Sequence, residues 1–112
     1  VAGALAAPGV SLRWGSFDDA EGLASPGDFL YVDPPYAPVS PTSSFNAYTA
    51  PRFGDGEQQR LQQMTVRLAR AGCHVLLSNS TAASIQALYD GNADTRAAGL
   101  VASRVPALRV VN

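Results

Sequence analysis

The chain has 112 residues, 46% of them apolar, with eight basic and nine acidic side chains, a formal charge of −1 and a single Cys. That length suits one small domain burying roughly two-thirds of its unfolded surface, and one cysteine excludes a disulfide framework or a multi-Cys zinc site. There is no run of about 18 apolar residues and no basic-then-apolar leader, so a soluble, cytoplasmic protein is expected, and the near-neutral charge excludes an unaided grip on nucleic acid, which needs clustered positive charge.

Residues 1–9 are rich in Ala, Gly and Pro and read as a linker or frayed helix end. Val10-Ser11-Leu12-Arg13-Trp14 alternates apolar and polar side chains with the period of a short strand. Residues 15–28 are turn-rich, with Phe17 and Leu23 as apolar points and a helical turn expected around Ala20 to Leu23. Phe29-Leu30-Tyr31-Val32 is an uninterrupted apolar run, the pattern of a strand covered on both faces; it stops at Asp33-Pro34-Pro35-Tyr36, because two prolines cannot continue a ladder.

Residues 38–53 form a long Ser-, Thr- and Pro-rich loop carrying Phe45, Tyr48 and Phe53, more aromatic surface than a passive connector needs. A helix is expected from Asp55 as its cap, with Gln58 three residues on, through Leu61, Met64, Leu68 and Ala71 to a stop at Gly72. His74-Val75-Leu76-Leu77-Ser78 reads as a second buried strand, and Thr81 as the cap of a short helix with Ile85, Leu88 and Tyr89 on one face. Residues 92–96 read as a polar loop, and Gly99 to Arg104 with Leu108 to Val111 as a last strand or strand pair broken by Pro106.

Strands alternating with helices imply an α/β fold, a mostly parallel sheet with flanking helices in which ligands sit beyond the carboxyl ends of the strands. Asp33 follows one strand and Asn79 the other, so the topology predicts that they share a rim. The prolines of the tetrad fix φ and remove two backbone donors, leaving a rigid strand end rich in acceptors. The Asp33 carboxylate adds another acceptor and Tyr36 an aromatic face, which together suit a flat ring bearing an amino group, such as an adenine turned out of a duplex. The plainer alternative is a proline-stiffened turn with a surface Tyr. Cys73 beside His74 invites a nucleophile, but neighbours in a strand point to opposite faces and no orienting acid is evident. Asn79-Ser80-Thr81 matches a glycosylation acceptor but reads better as a strand end with a helix cap. Asp18, Asp19 and Glu21 read as a solvated acidic face, and no metal-ligand cluster is visible.

The ordered set formed by the tetrad after Phe29-Leu30-Tyr31-Val32, then Ala37-Pro38, Phe45-x-x-Tyr48, Phe53, Glu57-Gln58-Gln59, Leu77-Ser78-Asn79 and Arg109-x-x-Asn112 resembles the Dam-type class of adenine-N6-specific DNA methyltransferases, from about Ser11 to Asn112. The resemblance implies a partial Rossmann-like, S-adenosylmethionine-dependent fold and methyl transfer to N6 of a flipped-out adenine in double-stranded DNA. It assigns Asp33, Pro34 and Tyr36 to catalysis, with N6–H bonded to the Asp33 carboxylate and the Pro34 carbonyl and with Tyr36 stacked on the base. Asp33 and Phe17 are implied at the cofactor, and Pro35, Phe45, Tyr48, Phe53 and Asn79 around the base.

The family's aromatic-x-Gly-x-Gly cofactor loop and target-recognition region are absent from the sequence. Residues 1–112 are therefore expected to be one partial domain, the C-terminal part of the catalytic domain, inactive alone and meeting DNA through the missing region. Two alternatives stand beside this. One is an interaction module, or decayed remnant, displaying Pro35-x-x-Pro38 and Pro38-x-x-Pro41 as a polyproline ligand. The other is a related methyltransferase acting on cytosine N4, RNA or a protein glutamine.

Overall fold

The computed structural model describes residues 8–40 and 53–106. Phe45, Tyr48, the Leu108 to Val111 strand, Arg109 and Asn112 lie outside the described residues. Six elements follow in chain order: helix α1 (Asp19–Leu23), strand β1 (Phe29–Val32), helix α2 (Asp55–Arg70), strand β2 (His74–Leu77), and helices α3 (Ala83–Tyr89) and α4 (Ala93–Ala97).

The strands pair in parallel, Phe29 with His74 through Val32 with Leu77, and α2 is the crossover between them. Side chains alternate across a strand, so Leu30, Val32, Val75 and Leu77 turn toward α2 and pack against its buried Leu61, Met64 and Leu68 and against Cys73. Phe29, Tyr31 and Leu76 point the other way and are exposed. The described elements cover one face of the two strands. A second core joins Ala37, Ala82 and Ile85, with Leu88 and Tyr89 against it, and brings α3 against the loop after β1.

Helix α2 starts at Asp55, the residue expected to cap it, so its cap lies one residue earlier. Gly54 is the N-cap: its N–H donates to Glu57 Oε1 at 2.9 Å and its carbonyl accepts from the Gln58 N–H at 2.9 Å. At the other end Gly72 adopts φ +97°, the left-handed conformation that glycine takes without strain and that closes a helix. Its carbonyl accepts from Gly27 N–H at 2.9 Å, tying the turn before β1 to the turn before β2.

Four further expectations are corrected. Val10–Trp14 is not a strand; Val10, Leu12 and Trp14 are exposed, and alternation without a neighbouring strand to pair with makes no ladder. Residues 99–104 are likewise irregular. Thr81 does not cap α3, whose N-cap is Ala82, with Ser80 Oγ accepting from Ala82 N–H at 3.3 Å. Residues 92–96 are not a loop: Asn92 Oδ1 accepts from the N–H groups of Asp94 and Thr95 at 2.9 and 3.1 Å and starts α4. Buried Thr95 then bridges three helices, accepting from Gln62 Nε2 and donating to the Leu88 carbonyl, both at 2.8 Å.

Candidate active site

Beyond Val32 the chain leaves the sheet. The last bond between the two strand ends is Ser78 N–H to the Val32 carbonyl at 3.2 Å, and Ser78 Oγ then donates to Asp33 Oδ1 at 3.1 Å. The parallel register therefore delivers Asp33 and Ser78 to one rim and fixes one oxygen of the carboxylate. Pro34 is buried behind it. Its carbonyl has no donor among the described residues, whereas the Pro35 carbonyl accepts from Gln58 Nε2 at 2.9 Å.

Asp33, Pro34 and Pro35 line one side of a cleft of about 570 Å³, within the usual range for small-molecule sites. Phe17, Phe53 and Arg60 line it too, with Leu30, Leu61 and Met64 as its apolar floor. Phe17 meets Phe53 edge-on at 5.6 Å between ring centroids, and the Arg60 guanidinium lies 5.1 Å from the Phe17 centroid, within cation–π reach. Arg60 also pairs with Asp18 at 2.8 Å, and Arg67 pairs with Glu21 through two bonds of 2.7 and 3.0 Å. The hydroxyl of Ser16 first, then Arg60, holds the Asp18 carboxyl below its ordinary range; Arg67 does the same for Glu21. Of the acidic residues read as a solvated face, Asp18 and Asp19 are exposed and Glu21 is half-buried, and Asp18 and Glu21 also clamp α1 onto α2.

Five of the expected residues, Phe17, Asp33, Pro34, Pro35 and Phe53, thus share one cleft. Tyr36 stands outside the cleft lining and is 56% exposed, so its ring is available to a ligand approaching the rim. Asn79 sits beneath the loop: its Oδ1 accepts from Ala37 N–H at 3.0 Å and from Ser80 N–H at 2.8 Å, and its Nδ2 donates to Gln58 Oε1 at 3.1 Å. Ser80 Oγ completes the clamp by donating to the Ala37 carbonyl at 2.6 Å. Pro34 and Ala37 are buried and anchor the start of the proline-rich stretch, whereas Pro35 and Pro38 of the expected polyproline ligand are exposed and Pro41 lies outside the described residues. Cys73 is buried, its thiol donating to the Ser25 carbonyl at 3.3 Å, while His74 is exposed, so the two form no catalytic pair.

The partners Gln58, Ser78, Ser80 and Arg60 did not emerge from the sequence. Gln58, Gln62 and Thr65 fall at helical spacings along the inward face of α2, and a polar residue in an apolar stripe is the signal that they have internal partners. No helix among the described residues is long and apolar enough to cross a membrane.

Residues 2–101 match the model of the D12 class N6 adenine-specific DNA methyltransferases. The chain is 40% identical over 80 residues to the type II methyltransferase M1.LlaDCHI of Lactococcus lactis subsp. cremoris, covering 71% of this chain and 28% of that protein. It is 38% identical over 71 residues to the type II methyltransferase M.MjaIII of Methanocaldococcus jannaschii, covering 63% and 25% respectively. Against the DNA adenine methylase of Salmonella typhi the identity is 34% over 74 residues, covering 66% and 27%. The chain therefore spans little more than a quarter of the length of these curated relatives, and no solved structure matches it. The match across nearly the whole chain, on the sequence that builds the Asp33–Tyr36 rim, makes this chain a member of the D12 class of N6 adenine-specific DNA methyltransferases.

Proposed function

We propose that this segment is the catalytic portion of a longer, Rossmann-like enzyme that transfers a methyl group from S-adenosylmethionine to N6 of an adenine rotated out of double-stranded DNA. The observation that carries this is the pairing of Asp33 and Pro34 on one cleft: a carboxylate with one oxygen fixed by Ser78, beside a carbonyl with no donor among the described residues. The cleft suits the cofactor chemically. Its volume of about 570 Å³ accommodates a nucleoside-sized ligand, its Phe17 and Phe53 rings suit a purine, and the Asp33 carboxylate suits a cationic or N–H-bearing group. When bound, S-adenosylmethionine would supply an electrophilic methyl group on positively charged sulfur, with a neutral thioether as leaving group, and N6 would exchange one proton, released to solvent past the Asp33 carboxylate, for that methyl.

The protein's own part is positioning and charge. Adenine N6 is a poor nucleophile because its lone pair is delocalised into the ring; two N–H bonds, to Asp33 and to the Pro34 carbonyl, hold it in line and stabilise the positive charge that develops there. Tyr36, exposed beside the rim, stacks on the extruded base, and Pro35 borders it. We assign Phe17 to the cofactor's purine and Phe53, Phe45 and Tyr48 to the surroundings of the base, with Asn79 supporting that rim through its bonds to Ala37 and Gln58. Target selection belongs to a recognition region elsewhere in the full-length enzyme, consistent with a net charge of −1 here.

The test is transfer of labelled methyl groups to DNA by the full-length enzyme carrying this segment, with nucleoside analysis of the product. N6-methyladenine is expected, and Asp33→Ala should abolish it while leaving the circular dichroism spectrum unchanged. Wild-type turnover by Asp33→Ala, or label in another nucleoside, would overturn the assignment.

A further inference from the structure

Two glutamines, Gln58 and Gln62, lie one turn apart on the inner face of α2 and are almost equally buried, 2% and 4% exposed, yet their amides serve different ends of the molecule. Gln62 bonds Thr95 Oγ1 at 2.8 Å, a tie to α4 remote from the cleft. Gln58 reaches back into the tetrad. Its Nε2 donates to the Pro35 carbonyl at 2.9 Å while its Oε1 accepts from Asn79 Nδ2 at 3.1 Å, and Asn79 Oδ1 in turn accepts from Ala37 N–H at 3.0 Å.

We propose that Gln58 is a positioning residue of the site: by gripping the Pro35 carbonyl and the Asn79 amide at once, it sets the Pro35–Tyr36 peptide plane and the direction in which the free Pro34 carbonyl points. The inference rests on the methyltransferase reading above for its consequence in catalysis, and on the hydrogen-bond geometry alone for its structural content. Three physical points support it. Consecutive prolines fix φ, and Pro35 also confines ψ of Pro34 to the extended range, which leaves ψ of Pro35 as the torsion that needs an outside constraint; Gln58 provides it at the Pro35 carbonyl, immediately after the carbonyl that is left for a ligand. The amide is buried, so each bond it makes is costly to leave unmade and the arrangement has few alternatives. Finally, the acceptor assignments are mutually consistent, because a glutamine that donates to a carbonyl must accept from the asparagine, and that asparagine must then present its oxygen to the Ala37 and Ser80 amides.

The experiment compares Gln58→Met with Gln62→Met in the full-length enzyme, since methionine keeps the side-chain volume and removes the amide in both. A purely structural role predicts that the two behave alike. The positioning role predicts that Gln58→Met slows single-turnover methyl transfer by on the order of tenfold or more, with KM for DNA and cofactor changed by less than about threefold, because displacing groups that align a reaction lowers kcat rather than binding. It predicts that Gln62→Met keeps its transfer rate within about twofold despite a similar loss of Tm. Independently of turnover, the Ala37 amide should exchange with solvent at least about tenfold faster in Gln58→Met than in Gln62→Met, since Asn79 loses the acceptor that orients it. Equal transfer rates in the two variants, or Ala37 exchange unaffected by Gln58→Met, would overturn the proposal. Absence of transfer in the unsubstituted enzyme would refute the methyltransferase reading, and Ala37 exchange would then still decide for or against Gln58 as organiser of the loop.

Discussion

Tyr36 and Tyr89 carry the same phenol into opposite surroundings, and that contrast separates function from stability. Tyr36 is 56% exposed at the rim, so its substitution removes little packing. Tyr36→Ala should therefore lower methyl transfer by on the order of tenfold to a hundredfold through lost stacking on the base while moving Tm little, and Tyr36→Phe should retain most activity, because stacking uses the ring. A single-turnover assay of both variants decides it. Tyr89 is packed against the Ile85 core, and its hydroxyl is buried without a hydrogen bond of good geometry. Burial pushes this phenol up to about 12, with the Thr65 hydroxyl offsetting only part of the effect. The sign follows from which state keeps the proton: above the ordinary value of 10.0 the unfolded phenol ionises while the folded one does not. Its stabilising contribution is complete below that pH and drains away as pH rises through 12, by about 3 kcal/mol in all. Tyr89→Phe should remove that alkaline loss and raise stability at neutral pH by about 1 kcal/mol, since it deletes an unsatisfied polar atom. Urea titrations of both proteins at pH 8 and at pH 11 measure the difference.

At the scale of elements, α2 carries both the core and the site. Leu61 is 1% exposed between the sheet and the cleft floor, and Leu61→Ala should cost about 3 kcal/mol through lost burial and the cavity left behind. Gly72, which ends the helix at φ +97°, would carry a Cβ 3.4 Å from that of Pro26, so Gly72→Ala should cost about 1–2 kcal/mol, nearly all of it backbone strain. A thermal melt of each variant checks both figures. These elements were legible in sequence because their signals are local: an apolar run ending in prolines for β1, spacings of three and four with a terminal glycine for α2, an apolar run before Ser78-Asn79 for β2. What was not legible depends on partners far along the chain. Val10–Trp14 alternates like a strand, but a strand also needs a neighbour, and no described element pairs with it. The helix at Ala93–Ala97 has loop composition and exists because Asn92 caps it and Thr95 bonds across to α2 and α3. Gln58 reads as an ordinary first-turn residue, since its partners lie 23 residues before it and 21 after it. The tetrad's identity was visible; the scaffold that aims it was not.

At the scale of the whole molecule, the described sheet is finished on one side only. A parallel sheet is normally covered on both faces, and a two-stranded sheet has little stability of its own. Here α2 covers Leu30, Val32, Val75 and Leu77, while Phe29, Tyr31 and Leu76 form an apolar row on the opposite face. Exposed apolar patches of this kind drive association when nothing else covers them. The 112-residue chain prepared alone should therefore self-associate with rising concentration. Leu76→Lys removes the centre of that row without touching the core, because the side chain is 56% exposed and points away from α2. It should shift the isolated chain toward monomer in sedimentation velocity while leaving its helical circular dichroism signal intact. In the full-length enzyme the outcome should invert if the same face is internal there: a buried lysine without a partner is strongly unfavourable, and Leu76→Lys should then lower Tm by several degrees. Gain for the segment together with loss for the enzyme would locate this face inside the complete catalytic domain, whereas gain in both would show a face that remains on the surface.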